Sequence, residues 1–584
     1  MVEIIAVGVL ACALFLAGTA EIPILGLDEG RFSQAAREMV HRGDLVVPTF
    51  HGEGRYHKPI LIYWCTMASY SVFGVNERAA RLPSIVAGTL TVMLLAWTAR
   101  RRFGAGAGLL AGMLLAVTVT FHVQAKACTA DMVLLLPTLA AMLAFEAIVA
   151  GSGDWRSALV LWLGLGLAIL AKGPIAPAWI GATALALWAF DSHWQPWQMA
   201  AFAALLLAGA WSLGPAVLVV PAGLALRDLL RSPTGRRVVR DMRWRWGFPL
   251  LALVVMPWVI MVEWATGGAF LREALGTHVV SRSVTSFESH GFFPGFYLVT
   301  APLVAFPWFV FSVDAARRGS AAVGVATARY LVAWLVGPLV LLELVQTKLV
   351  HYWLPSYPAG VLLVVAWVSA AGPRGWTTGR WSRTLLLIAG LVVSAVPLAV
   401  VRLMHVPRLW LAAAIASAVL AGATVAVVVA GWRRPVRAVS GTTAATAVFL
   451  ALVFGWLMPD LATESLPPRA ARRTAELLQP GDRVVVFKGR DDDLFFYLPV
   501  DTRACQRLEC LAAISAAGED VLVLARSRDF EILQDEWPEA SLEEVDRIGG
   551  LDLNRARRDE IVVFRVRWDE PAALRGVDTR QAPS

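Results

Sequence analysis

Several polar stretches of this chain carry side chains that could do chemistry on a charged substrate. LDEGRFSQAAREM at 27–39 opens with Asp28 and Glu29, adjacent carboxylates where apolar sequence gives way to polar, with Arg31 close behind. Such a carboxylate can act as a general base. The same pair would also favour a helix N-terminus, where acidic groups meet the positive end of the dipole. GRYHKPILIYW at 54–64 places Lys58 before Pro59. A residue before proline is biased to extended backbone, so its ammonium could be presented to a phosphate at headgroup level. A lysine that only snorkels to anchor the loop would read the same way. Asp131, in AKACTADMVL, stands between two apolar runs. An ionisable residue at that depth is a functional candidate by default; a structural ion pair with Lys126 or Arg31 is the alternative. The segment 265–295 adds His278, Arg282 and His290, with Tyr297 just beyond it, and QTKLVHYWLPSYP at 346–358 adds Lys348, His351 and Tyr352. An arginine fork suits phosphate. The two histidines are too far apart in sequence to read as a metal site, and Tyr352 alone could be an interfacial aromatic.

The elements that must hold these residues are membrane helices. The chain has 584 residues, 57% hydrophobic and only 16% charged, with mean hydropathy +0.61. Soluble domains carry about a quarter charged residues. Runs long enough to cross hydrocarbon fall near 4–20, 83–99, 106–124, 132–150, 157–171, 175–190, 247–264, 296–312, 329–346, 358–371, 384–401, 409–431 and 441–458. The first follows Met-Val-Glu with no basic region before it, so it reads as a retained helix and not as a cleaved signal. The net charge of +8 comes from arginine clusters between apolar runs, the positive-inside pattern, and gives no sign of a nucleic-acid partner. These clusters put the N-terminus inside. They put the loop at 21–82, the segment 265–295, the turn at 347–357 and the tail on the outer face. Residues 199–226 are apolar but too short for two ordinary spans; a re-entrant pair broken near Gly214 and Pro215 would keep that parity.

The ordered strings LDEGRF, EM, YHKP, ERAARLPS, TAD, LAKGP, the Pro-Trp pair at 257–258, His278 with Arg282, and KLVHYWLPSYP resemble the C-type membrane glycosyltransferases. More narrowly, they resemble the branch that holds the bacterial aminoarabinose–lipid A transferases and the protein O-mannosyltransferases. The resemblance covers roughly 20–365. It implies a polyprenyl-phosphate sugar donor, a lipid, glycan or protein acceptor, a site on the extracytoplasmic face of the bacterial inner membrane, and inversion at the sugar carbon. Carried across by motif, Asp28 and Asp131 match functional aspartates, with Glu29 a further catalytic candidate. Lys58, Arg282 and Tyr352 match positions that hold the lipid phosphate, with His351 beside them. The aminoarabinose transferases have an acidic, metal-capable residue just before the lysine. Here it is His57, which puts a divalent metal and that substrate in question.

The fold class expected is therefore a polytopic α-helical membrane domain over 1–459 and a small extracytoplasmic α/β domain over 460–584, with apolar runs at Val484–Phe487, Val521–Ala525 and Ile561–Val566 as strands. Cys505 and Cys510 are expected to pair there, in an oxidising compartment. Asp491-Asp492-Asp493 imitates a metal-binding triplet but reads as a solvated helix start far from the other loops. A transporter or flippase is the competing class, yet the sequence has no internal repeat and its polar residues cluster in outer loops. A non-catalytic lipid-binding protein would keep the cations without needing Asp28. A reporter fused after residue 570 is expected to read as extracytoplasmic; a cytoplasmic signal would overturn the topology.

Overall fold

The protein is described here from a computed structural model covering residues 1–191, 219–274, 293–318, 323–431, 433–489, 492–507, 510, 511, 514, 521–536 and 540–568. Each of the thirteen expected runs lies on a helix. Among the described residues, nine helices are long and apolar enough to cross a membrane, and two further spans are bent, by 72° at 107–125 and by 109° at 296–318. The first helix, α1 (Val2–Leu16), has 15 residues and Ile175–Asp191 has 17, both short of a full hydrocarbon thickness at about 1.5 Å per residue.

The inserted pair expected at 199–226 lies mostly outside the described residues; 219–226 belong to the helix Val219–Arg231. The chain on either side of 192–218 meets the same end of the bundle. Asp191 pairs with Arg329 at the start of Val325–Leu344, Trp188 donates to Asp228 at 3.1 Å, and Arg237 donates to Val149 O at 2.8 Å.

The polar segment 21–82, expected as an outer loop, is more structured than its polarity suggested. It contains α2 (Gly26–Arg42), a two-residue hairpin of β1 (Thr49–Phe50) and β2 (Glu53–Gly54), and α3 (Leu61–Phe73). Glu38 in α2 ties down the hairpin, accepting from Thr49 Oγ1 (2.6 Å), His51 N (2.9 Å) and Gly52 N (3.3 Å). The next helix, α4 (Glu77–Phe103), starts at Asn76, whose side chain accepts from Ala79 N, the usual way to satisfy an orphan donor.

Arg81 of α4 is buried beneath this loop. Its guanidinium donates to both oxygens of Glu29, at 2.8 and 3.0 Å, and to the carbonyls of Thr19 (3.0 Å), Ile22 (2.6 Å) and Pro23 (2.6 Å). Glu29 also accepts from Leu25 N at 2.8 Å and Cys128 N at 2.9 Å. One ion pair therefore joins the exit of α1, the start of α2, the start of α4 and the stretch that carries Asp131.

The tail is an α/β unit. Its sheet runs β4 (Arg503–Cys505), β3 (Arg483–Phe487), β5 (Val521–Arg526), β7 (Arg557–Trp568), β6 (Ala540–Asp552), parallel across the first two pairings and antiparallel across the last two. The strands alternate faces, as a two-residue period requires. Val484, Val486, Leu522, Leu524 and Val563 pack with Leu466 and Ala470 of the helix Leu466–Leu477. Val485, Phe487, Val523 and Phe564 pack with Phe530 and Leu533 of Ser527–Glu536. The three expected strand runs are β3, β5 and β7. The charged edge strand β6 and the short β4 carried too little apolar signal to be read. Cys505 and Cys510 are joined as a disulfide, with Cα atoms 5.6 Å apart. Cys505 ends a strand, so the two are not on one regular helix, where the sulfurs would diverge.

The aspartate run needs correction. Asp491 lies outside the described residues, but Asp492 and Asp493 are buried and dock on α2. Asp492 pairs with Arg31 at 2.5 Å. Arg37 donates to the carbonyls of Phe495, Phe496 and Leu498, and Tyr497 Oη accepts from Ile24 N at 2.8 Å. Gly30 is flush with this loop: a Cβ there would fall 2.7 Å from Asp492 C and Asp493 N. The run looked solvated because its partners are distant in sequence: Arg31 is 461 positions from Asp492 and Asn554 is 61 from Asp493.

Two outcomes follow. Arg81→Leu leaves Glu29 buried without its partner and is expected to cost about 3–5 kcal/mol; an unchanged melting temperature in detergent would refute this. His51 stacks on Phe495 with ring centroids 3.8 Å apart, and burial, helped by Arg31, lowers its pKa from 6.5 to about 3. The unfolded chain then binds a proton that the folded one refuses. Stability is lost as pH falls from about 6.5 towards 3, by at most ~1.4 kcal/mol per pH unit. Melting at pH 7 and pH 5 should show a smaller loss for His51→Gln than for the parent.

Candidate active site

Two antiparallel helices set the base of the site. α7 (Ala130–Ala150) follows α5 (Ala107–Ala116) and α6 (Val119–Ala125), and it begins one residue before Asp131. α8 (Trp155–Lys172) ends on Lys172, with Gly173 beyond it at φ 75°. An acidic residue in a first turn and a basic residue in a last turn each suit the helix dipole. The hairpin closes tightly: a Cβ on Gly164 would lie 2.7 Å from Pro137 O. The start of α7 therefore meets the end of α8, and Lys172 Nζ lies 2.6 Å from Asp131 Oδ1, both side chains largely buried.

The turn at 346–358 lies against this pair. It is pinned by Trp334 Nε1 donating to Pro355 O (3.1 Å), Ser356 Oγ donating to Trp334 O (2.9 Å) and Trp179 Nε1 donating to Ser356 Oγ (3.1 Å). His351 Nε2 is 3.8 Å from Asp131. Lys172 Nζ sits 5.3 Å from the centre of the Tyr352 ring, within cation–π range, and the His351 and Tyr352 rings meet edge-on at 5.1 Å.

Asp28 and Lys58 complete the group from the first outer loop. Asp28 is exposed in the first turn of α2 and Lys58 is half-buried before α3. Their charges reach the turn. Burial lowers the pKa of His351, Asp131 and Asp28 counter this, and Lys172 and Lys58 reinforce it. His351 is thus held neutral near pH 7, able to donate from one ring nitrogen and accept at the other. Arg55, buried, donates to Tyr63 Oη at 3.1 Å and stiffens the approach to Lys58.

The structure thus brings together Asp28, Lys58, Asp131, His351 and Tyr352, and His57 is next to Lys58 in the chain. Arg282 and His278 lie outside the described residues, as does His290. Other candidates have different partners. Glu29, a catalytic candidate in the sequence, is instead saturated by Arg81 and two backbone amides. Arg31 holds Asp492. Lys126, an expected partner of Asp131, donates to the carbonyls of Leu14, Phe15 and Ala17 at the end of α1. Lys348 does the same for Val325–Leu344, bonding Leu342 O, Glu343 O and Val345 O. Lys172 is the residue that sequence reasoning missed, although the string LAKGP contains it; a basic residue closing an apolar helix before Gly-Pro was the available signal. Among the described residues, no three His, Cys, Asp or Glu side chains are grouped to hold a metal ion.

Chemically, the arrangement offers one exposed carboxylate, one half-buried ammonium, and a neutralised Asp131–Lys172 pair with an imidazole and a phenol around it. It can hold an anion at Lys58 and leave Asp28 free to take a proton.

Residues 57–213 match the dolichyl-phosphate-mannose-protein mannosyltransferase family. The undecaprenyl phosphate-alpha-4-amino-4-deoxy-L-arabinose arabinosyl transferase of Aeromonas salmonicida is 27% identical over 399 residues, covering 64% of this chain and 62% of that protein. The protein of the same name from Pectobacterium carotovorum is 25% identical over 364 residues, covering 59% and 55%. The matches span about three fifths of these relatives' length. The crystal structure of ArnT from Cupriavidus metallidurans bound to undecaprenyl phosphate superposes with TM-score 0.71 at 19% identity, covering 96% of this chain and 97% of that one. The multi-span bundle with its C-terminal sheet domain therefore has the ArnT fold, and the chain is a multi-span membrane protein whose sequence is similar to the aminoarabinose transferases and, over 57–213, to the protein mannosyltransferase family.

Proposed function

We propose that this chain is an inverting glycosyltransferase that moves a sugar from a polyprenyl-phosphate carrier to a lipid, glycan or protein acceptor. The observation that carries this reading is the convergence of Asp28, Lys58, Asp131, Lys172, His351 and Tyr352 from four separate stretches onto one end of the bundle. Bulk solvent favours none of these groups being brought together; a charged substrate at the headgroup level would.

In this reading Lys58 binds the donor phosphate, with Tyr352 and His351 beside it and Arg282 as a further ligand. An acceptor oxygen attacks the anomeric carbon from the side opposite the phosphate. The carbon–oxygen bond to phosphate breaks, and the lipid phosphate leaves with its charge held by the cations. The acceptor proton passes to Asp28. Asp131 keeps Lys172 charged and the turn in register. The site faces outward across a bacterial inner membrane, with the C-terminal domain on that face; the arginine pattern and the Cys505–Cys510 disulfide support that placement.

Asp28→Asn keeps the shape and removes the charge. Loss of general-base help is expected to slow turnover by ~10²- to 10⁴-fold with donor binding kept. Lys58→Ala is expected to weaken donor binding by about 1.5–3 kcal/mol, as for a hydrogen bond to a charged group. The assay is transfer from a labelled polyprenyl-phosphate sugar in proteoliposomes. Near-parental turnover by folded Asp28→Asn would overturn the assignment of the base, and unchanged affinity in Lys58→Ala that of the phosphate ligand.

A further inference from the structure

The helix α2, which carries Asp28, has no capping side chain of its own. Leu25 occupies the N-cap and makes no side-chain bond to the helix. Ser, Thr, Asp or Asn would normally stand there to satisfy an orphan amide. An acceptor for the first helical amide comes from the far end of the chain: Asn554 Oδ1 accepts from Gly26 N at 2.7 Å, across 528 positions.

Asn554 is itself built into place. It lies in the turn between β6 and β7, where Asp552 Oδ1 accepts from Asn554 N and Arg555 N, each at 3.1 Å. Asp552 is buried and paired with Arg526 at 3.0 Å. The Asn554 amide then donates from Nδ2 to Asp493 Oδ2 at 2.8 Å. A carboxylate can only accept, so Asp493 fixes which end of the amide is its oxygen and aims it at Gly26. One turn further along α2, Asp492 takes Arg31.

We infer that Asn554 and Asp493 are positioning residues for Asp28, and that the C-terminal domain of the same chain caps the catalytic helix. The inference rests on the proposed role of Asp28. Asp28 is two residues beyond Gly26, in the first turn, where fraying would move it most. The domain then does more than cover the membrane unit. It sets the register of the carboxylate from outside the bundle, while Glu29 and Arg81 set it from beneath.

The test uses the full-length protein in proteoliposomes, with a labelled polyprenyl-phosphate sugar as donor. Asn554→Leu is expected to lower kcat about tenfold, the worth of one hydrogen bond in the barrier, with donor affinity unchanged. Amide exchange at 26–31 should rise. Asn554→Asp sets a second carboxylate against Asp493 and should be impaired in the same way. The double variant Asn554→Asp with Asp493→Asn restores both hydrogen bonds with the roles swapped, and should recover most of the parental kcat. A double variant that folds but does not recover, or Asn554→Leu with parental kcat, would overturn the positioning role. Asp28→Asn is measured alongside. If it is inactive while Asn554→Leu is parental, the positioning role alone fails. If Asp28→Asn is itself near-parental, the reading of the site fails and this inference with it.

Discussion

The buried pair of Glu29 and Arg81 is the constraint on which the outer end of this molecule depends. Neither charge could be left alone there, because an unpaired buried ion is strongly unfavourable. The two therefore fix each other, and Arg81 spends its remaining donors on three carbonyls at the exit of α1. That locks four chain segments at one point. Asp28 is the neighbour of Glu29, so its place in the fold follows from a bond it does not make. The two adjacent carboxylates divide the work: the buried one builds, and the exposed one is left available.

The same division recurs among the cations. Lys126 and Lys348 cap helix ends through carbonyls, Arg31 and Arg37 hold the C-terminal domain, and Lys172 neutralises Asp131. Each of these satisfies acceptors that would otherwise be stranded at the edge of the hydrocarbon. Asp28, exposed, and Lys58, half-buried, stand beside these pairs. An apolar protein that gathers this many ionisable groups must pair most of them for stability before any can serve a substrate.

The C-terminal domain belongs to this scheme. Its sheet has its own two-sided core, yet the loop 492–498 and the turn at 553–556 are shaped around α2. Buried Asp492 in that loop is paired with Arg31 of the membrane unit, and Gly26 of that unit donates to Asn554 of the domain, so the two parts of the chain are completed by contact with each other.

The membrane class, the thirteen long apolar runs and the three inner strands of the tail were legible in the sequence, because hydrophobic runs and two-residue alternation are local signals; the apolar helix α3 (Leu61–Phe73), inside a polar segment, was not. Asp28, Lys58, Asp131, His351 and Tyr352 were legible as candidates for a related reason: ionisable and aromatic-polar groups stand out against so apolar a background. Their partners were not. Lys172 meets Asp131 across 41 positions, Arg81 meets Glu29 across 52, Arg31 meets Asp492 across 461 and Asn554 meets Gly26 across 528. A residue's type states which bonds it can make, but which one it does make is decided when packing brings one acceptor within about 3 Å and carries the rest away. That is why Glu29, a catalytic candidate by type, is found bound to Arg81, and why Asp492 and Asp493, which looked solvated, are buried.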